Sequence, residues 1–164
     1  VKLTLRHATR NDLPALVAIY NHYVATSHCT FDTTAFDVQT RLPWFAQFDG
    51  ARYQCLVAEH NGALAGYACT GALKPKAAYA TSVEISVYLK PDNIGGGLGR
   101  RLYDELLPRL ASEDLHRAYA LIALPNAASI RLHEACGFSK VAHLAEVGRK
   151  FDRYWDVAWY ERAL

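Results

Sequence analysis

The segment Val83–Arg101, V-E-I-S-V-Y-L-K-P-D-N-I-G-G-G-L-G-R-R, constrains the fold more than any other stretch of the chain. Val83, Ile85, Val87 and Leu89 alternate with Glu84, Ser86 and Tyr88, the period of a strand with one apolar and one polar face. Pro91-Asp92-Asn93 stops that strand. Gly95-Gly96-Gly97-Leu98-Gly99 then leads into Arg100 and Arg101 and the helical spacing of Leu102, Tyr103, Leu106, Leu107 and Leu110. The unit reads strand, glycine turn, helix, with Glu84 on the polar face of the strand.

A glycine turn at a helix N-terminus presents unpaired backbone N–H groups and the positive end of the helix dipole, a setting that favours an anion such as a pyrophosphate. Residues without side chains let that anion approach the main chain, and Arg100 and Arg101 can add charge. A glycine cluster taken alone fits a flexible connector equally well. Two named phosphate motifs are excluded: the chain has no G-x-x-x-x-G-K-[ST], and Leu102 stands where G-x-G-x-x-G would need its third glycine.

A length of 164 residues with balanced composition suits one globular domain spanning 1–164. The net charge of +2, without a basic run or an aromatic and basic stripe, argues against nucleic acid as a partner. Cys29, Cys55, Cys69 and Cys136 show no C-x-x-C pairing, no leader-like segment opens the sequence, and no apolar run reaches membrane-spanning length; together these predict a cytoplasmic protein with no membrane partner. The seven histidines fall in no metal-ligand spacing, so no metal site is expected.

Along the chain, Val1–Ala8 reads as a first strand. Asn11 or Asp12 is the expected cap of a helix that carries Leu13, Leu16, Val17, Tyr20, Tyr23 and Val24 on one face and ends near Ala25. Phe31, alone in the polar stretch 26–32, suits either a pocket or a core anchor. Phe36–Phe48 is a weaker helix interrupted by Pro43, and Tyr53–Thr70 reads as a hairpin turning at Asn61-Gly62. Lys74, Lys76 and Tyr79 lie on the connection into the central strand, as solvated surface or as a lip over its polar face. Pro108 predicts a kink or early end of the helix after the glycine turn. Tyr119–Leu124 is a short strand, followed by a helix capped by Asn126 and closed by Gly137, on which Asn126, Ser129 and His133 share one face. Val141–Leu164 holds two strands around 148–153, the second rich in aromatic residues from Tyr154 to Tyr160.

The order of elements, the glycine turn and L-P-N-A-A-S-I-R-L-H-E-A-C-G-F at 124–138 resemble the GNAT superfamily of acetyl-CoA-dependent N-acetyltransferases. N-H-Y-V-A-T-S at 21–27, T-F at 30–31, V-E-I-S-V-Y-L at 83–89, G-L-G at 97–99 and R-L-H-E-A-C-G-F at 131–138 are similar to phosphinothricin and methionine sulfoximine acetyltransferases, and the likeness runs from about Arg6 to about Tyr160. It implies an α/β fold with a central mixed, mostly antiparallel sheet, splayed in the middle and flanked by helices. It also implies that Val87, Tyr88 and Leu89 border the pantetheine arm of acetyl-CoA, that Gly95, Gly96, Gly97, Leu98, Gly99 and Arg100 receive the pyrophosphate, and that Asn126 and Ser129 contact the cofactor. The sequence departs from the family's phosphate motif at Ile94-Gly95, where relatives carry longer polar side chains. A homodimer is implied too, and the aromatic stretch 154–160 is richer in large side chains than a lone edge strand should expose.

Amide formation needs a base to deprotonate the ammonium, stabilisation of the developing oxyanion, and a proton for the departing thiolate. Glu84 matches the family's carboxylate and is the candidate base, directly or through water. His133 is a second candidate for proton handling, and backbone N–H groups near Val87 would receive the thioester oxygen. By resemblance, Lys74 holds a substrate anion, with Lys76, Tyr79 and Phe31 completing the pocket. The expected substrate is a small amino-acid analogue such as phosphinothricin, methionine sulfoximine, methionine sulfone or arsinothricin. Two other readings remain open: acetylation of a protein N-terminus or polyamine, and a non-catalytic acyl-CoA-binding module supported only by the Ile94-Gly95 departure.

Overall fold

The computed structural model describes Lys2–Leu164. Its elements follow in the order β1 Leu3–His7, α1 Leu13–Thr26, α2 Val38–Ala46, β2 Cys55–His60, β3 Ala63–Ala72, β4 Ser82–Leu89, α3 Leu98–Ala111, β5 Arg117–Ala123, α4 Ala127–Ala135, β6 Ser139–Lys150 and β7 Arg153–Ala163. Among the described residues the strands form one sheet in the order β1-β2-β3-β4-β5-β7-β6. Every neighbouring pair is antiparallel except β4 with β5. The fold is the α/β architecture, a mixed sheet flanked by helices, that the resemblance implies. Val1 lies outside the described residues.

Strand alternation decides which layer each side chain joins. Leu56, Ala58, Val83 and Ile85 point to the face covered by α3, where Leu98, Leu102, Tyr103, Leu106 and Leu110 complete a core. Cys55, Val57, Tyr67 and Cys69 point to the opposite face, against Leu16 and Ile19 of α1 and Trp44, Phe45 and Phe48 from α2 and its exit. Glu84, Ser86 and Tyr88 belong to this second side, where α1 and α2 leave a gap.

The parallel ladder is short. Ser82, Val83 and Glu84 pair with Arg117, Ala118 and Tyr119, and β4 and β5 form no further pair with each other. From Ile85 onward the two strands part, and the main-chain groups of β4 on that side have no strand to bond. The splay in the middle of the sheet begins here.

Several local expectations are corrected. Asp12 does not cap α1 with its side chain; its carboxylate accepts from Thr9 N at 2.7 Å and from Arg6 Nη1 at 2.7 Å, and so ties β1 to the helix entry. Helix α2 runs through Pro43, with Asp37 Oδ1 accepting from Thr40 N at 2.7 Å at its start and Trp44 and Phe45 packed on the sheet. Helix α3 continues past Pro108 to Ala111. In both helices the proline deprives one carbonyl of its partner, on exposed Gln39 and Asp104 respectively, where solvent replaces it while the buried face stays continuous. The final hairpin turns at Phe151-Asp152, both at positive φ, within the expected 148–153 stretch. Strand β7 is interior, hydrogen-bonded to both β5 and β6, and Trp155 and Tyr160 on it are buried. Trp155, Val157 and Tyr160 of this stretch are therefore core, Tyr154 at its start stays exposed, and β6 is the edge.

Candidate active site

Two clefts open where β4 and β5 separate. The larger, about 650 Å³, runs along Val87 and Leu89 of β4, past Gly95, Gly97, Leu98, Gly99 and Arg100, to Asn126, Ser129 and His133 of α4 and its approach. The smaller, about 370 Å³, lies on the α1/α2 side and holds Glu84, Phe31, Arg41, Trp44 and Tyr67. Cys29, Ser86, Tyr88, Leu121 and Ala123 line both, so the clefts meet at the splay.

The larger cleft has the properties of an anion-binding groove. Gly95 and Gly97 adopt φ of 88° and 76°, a conformation glycine takes without strain, and Gly97 is the residue before α3. The first backbone bond of the helix runs from Arg101 N to Gly97 O at 3.2 Å, so the N–H groups of Leu98, Gly99 and Arg100 have no carbonyl within their own helix. A Cβ at Gly95, Gly96 or Gly97 would meet nothing within 4 Å, which leaves the turn open to a ligand. Gly99 serves a different end: a Cβ there would stand 3.1 Å from Leu132 Cδ2, so its size sets the approach of α3 to α4. Arg100 borders the groove but is tied at 2.7 Å to both Asp104 Oδ1 and Ala135 O. Arg101 turns to the other side of the loop, with Ile94, Asp92 and His60.

On α4, Asn126 Oδ1 accepts from Ser129 N at 3.1 Å, capping the helix and leaving the Asn126 amide N–H groups for a ligand. Ser129 Oγ lies 3.2 Å from His133 Nδ1. His133 is 3 % exposed and both ring nitrogens are engaged: Nδ1 lies 2.8 Å from Ser129 O, and Nε2 lies 3.0 Å from the Tyr103 hydroxyl. A neutral imidazole that donates from Nδ1 and accepts at Nε2 satisfies both contacts. Burial pushes the His133 pKa below its ordinary value, with the Ser129 carbonyl opposing, so the neutral ring is favoured. His133 borders the larger cleft, whereas Glu84 lines the smaller one.

Burial raises the Glu84 carboxyl above the usual carboxylate range, and the nearby charge of Lys74 only partly offsets it. A base of raised pKa beside a cleft suits proton abstraction near neutral pH. Phe31, half-exposed, lies with its ring over the backbone of Gly148 and closes one wall. The loop carrying it is fastened on several sides. Lys150 Nζ donates to Ser27 O at 2.7 Å and to Thr30 O at 2.8 Å, the Tyr20 hydroxyl bonds Thr30 Oγ1 at 2.6 Å and donates to Asp32, and His28 Nε2 lies 2.8 Å from Pro125 O across the splay.

Of the substrate residues expected from sequence, Phe31 lines the smaller cleft, whereas Lys74, Lys76 and Tyr79 are exposed and outside its wall. Lys74 still acts on Glu84 by charge, and its ammonium stands 5.7 Å from the Trp159 ring centroid. The cation within the cleft is Arg41, which sequence reasoning missed; its only signal was its place three residues before Trp44 on a short helix. Tyr67, Tyr20 and Asp32 were missed as well. Among the described residues no cluster of His, Cys, Asp and Glu could hold a metal ion.

A splayed mixed sheet with an anion-binding turn after its central strand and a carboxylate at the fork defines an acyl-CoA-dependent transferase architecture, and the chain belongs to the acetyltransferase (GNAT) domain family, which it matches over residues 5–159. It is 48% identical, over 99% of its length and 97% of the relative's, to a phosphinothricin N-acetyltransferase of Streptomyces coelicolor. It is 36% identical to an L-methionine sulfoximine/L-methionine sulfone acetyltransferase of Salmonella typhimurium, covering 99% of this chain and 95% of that one. A solved GNAT superfamily phosphinothricin acetyltransferase from Sinorhizobium meliloti, in complex with acetyl-CoA, superposes with a TM-score of 0.94 at 32% identity, covering 100% of this chain and 89% of that one.

Proposed function

We propose that the chain works as one N-acetyltransferase domain that acetylates the amine of a small amino-acid analogue, of the phosphinothricin, methionine sulfoximine, methionine sulfone or arsinothricin type. The observation that carries this reading is the position of Glu84, a half-buried carboxylate at the fork where a groove suited to a pyrophosphate meets a smaller cleft. Acetyl-CoA supplies the activated acetyl group. In this reading the N–H groups at the start of α3 hold its pyrophosphate, the freed edge of β4 near Val87 aligns its pantetheine arm and faces the oxygen on which charge develops, and Asn126 contacts it from α4.

The acceptor enters from the α1/α2 side. Glu84 takes the proton from its ammonium, directly or through water, so that the free amine can attack. His133 acts by holding α4 and Tyr103 in place, because the lone pair at Nε2 is already engaged by the Tyr103 hydroxyl. Cys29 borders both clefts, but direct transfer needs no thiol nucleophile. Masking the amine of an inhibitory amino acid would serve resistance. The size of the smaller cleft favours such a substrate over a protein N-terminus.

A cytoplasmic setting agrees with four free cysteines, and no helix among the described residues is long and apolar enough to cross a membrane. A homodimer remains part of the proposal on new support: Val141, Val147, Phe151 and Tyr154 are each about half exposed along the edge strand β6 and its hairpin. A monomeric mass by light scattering at micromolar concentration would retire it. The function is tested by incubating the protein with acetyl-CoA and a panel of amino-acid analogues and following free thiol. Acetyl transfer to analogues with oxidised or anionic tails is expected; transfer only to peptide N-termini or polyamines, or to nothing, contradicts it.

A further inference from the structure

The smaller cleft contains two hydrogen-bond donors that the protein itself leaves unused. The Arg41 guanidinium sits 4.4, 4.5 and 4.2 Å from the ring centroids of Tyr20, Phe36 and Trp44, and makes neither an ion pair nor a side-chain hydrogen bond among the described residues. Tyr67 is 1 % exposed, and its hydroxyl meets no partner among them. Rings stacked on a guanidinium fix its plane and leave its N–H edge as the working surface. A buried hydroxyl without a partner is destabilising, as is a partly desolvated cation without a directly paired anion; the carboxylates of Asp32 and Glu84 line the same cleft but form no ion pair with Arg41. Both occur in one cleft.

We infer that Arg41 and Tyr67 together receive the oxygen-bearing tail of the acceptor amino acid and set its specificity. The inference rests on reading this cleft as the amino-acid site. The acceptor's amine must reach Glu84, and its carboxylate, on the same carbon, stays nearby, within the field of Lys74. Arg41, carried by α2 among Tyr20, Phe36 and Trp44, is left for the other end of the molecule. A guanidinium only donates, and Tyr67, whose burial strongly disfavours its phenolate, is neutral and has an O–H to give. Their partner must therefore accept hydrogen bonds, as phosphinate, sulfone and sulfoximine oxygens do. A cationic tail is repelled, and a thioether such as that of methionine accepts only weakly.

The test compares wild-type protein with Arg41→Gln, Arg41→Lys and Tyr67→Phe. Phosphinothricin, methionine sulfone and methionine are each titrated by tryptophan fluorescence, and acetyl-CoA affinity and melting temperature are measured alongside. Arg41→Gln should weaken phosphinothricin roughly 10–100-fold, the range expected for a hydrogen bond to a charged group, and methionine sulfone less. Methionine should hardly change. Arg41→Lys should recover part of the loss for the anion, acetyl-CoA should bind as before, and Tyr67→Phe should weaken both oxidised analogues while melting no earlier than wild type. That last pair of results separates ligand recognition from structural support, because a hydroxyl holding the fold together cannot be removed without cost. Variants that bind both oxidised analogues like wild type, or that lose methionine equally, overturn the assignment of Arg41 and Tyr67 alone. Wild-type protein that binds acetyl-CoA but none of the analogues overturns the reading of the cleft, and the inference with it.

Discussion

Glu84 is matched with Tyr119 across the parallel β4–β5 ladder, and it is the last residue of β4 to have such a partner. The proposed base thus stands at the vertex of the fork. Sheet pairing fixes its backbone on one side, and strand separation opens the space in front of its side chain on the other. The same alternation sends Val83 and Ile85 into the α3 core, so the carboxylate is held by packing that it does not itself contribute.

Phe31 lines the proposed acceptor cleft only because residue 148 is glycine. A Cβ at that position would lie 2.1 Å from the Phe31 ring, so Gly148→Ala must displace the ring. The ring is the mobile end of a side chain in a half-exposed place, and the melting temperature should fall only slightly. The KM for the amino-acid substrate should rise several-fold, with acetyl-CoA affinity by calorimetry unchanged. Equal losses for both substrates would count against placing Phe31 in the acceptor wall.

The entry to α1 depends on Asp12. Its carboxylate pairs with Arg6, which also bonds Glu59 at 2.9 Å, and the Arg6 hydrogen bond is the chief reason that the Asp12 pKa falls to about 2. A carboxyl depressed in the folded state contributes stability above its unfolded pKa near 4, and that contribution is lost as pH falls toward 2. Asp12 is 9 % exposed, so the contribution amounts to about 2 kcal/mol at neutral pH. Asp12→Asn should be destabilised by about that much at pH 7, and the difference from wild type should shrink in urea titrations as pH falls through the folded pKa of about 2. A gap that persists unchanged at low pH would mean that the ionised pair is not its source.

His133 and Tyr103 provide a separate check on who handles the proton. Tyr103→Phe leaves Nε2 of a buried imidazole without its donor, and stability should drop by about 1–3 kcal/mol. The pH dependence of kcat/KM should keep its shape, since the ring is neutral and structural in this account. An ionisation limb that moves with this substitution would return His133 to the chemistry.

The parts legible in the sequence are those set by local physics. The period-two run before the glycine turn, the Asn61-Gly62 hairpin and the Asn126 cap all appear where their residues dictate, because strand alternation, positive φ and side-chain capping act over a few residues. Pro43 and Pro108 misled because each lies on the solvent side of its helix, where a missing bond is cheap and tertiary packing decides. Tyr154–Tyr160 looked like an exposed edge because strand order is a non-local property. The same limit hid the smaller cleft. Arg41 reads as a surface residue of a weak helix until Tyr20, Phe36 and Trp44 come together around it, and Lys74 is near Glu84 in charge without being in the wall.

In the proposed mechanism Glu84 removes the proton from the acceptor amine at the fork. Its most direct test is the pH profile of kcat for Glu84→Gln against wild type, with acetyl-CoA saturating. The substitution keeps size and hydrogen bonding while removing basicity. Turnover at neutral pH should fall roughly 10²–10⁴-fold, the usual contribution of general base catalysis. Acetyl-CoA affinity and melting temperature should change little, and activity should recover in part as pH rises and more of the amine arrives already neutral. Near-normal turnover by Glu84→Gln at neutral pH would contradict the account and move the proton acceptor to another group.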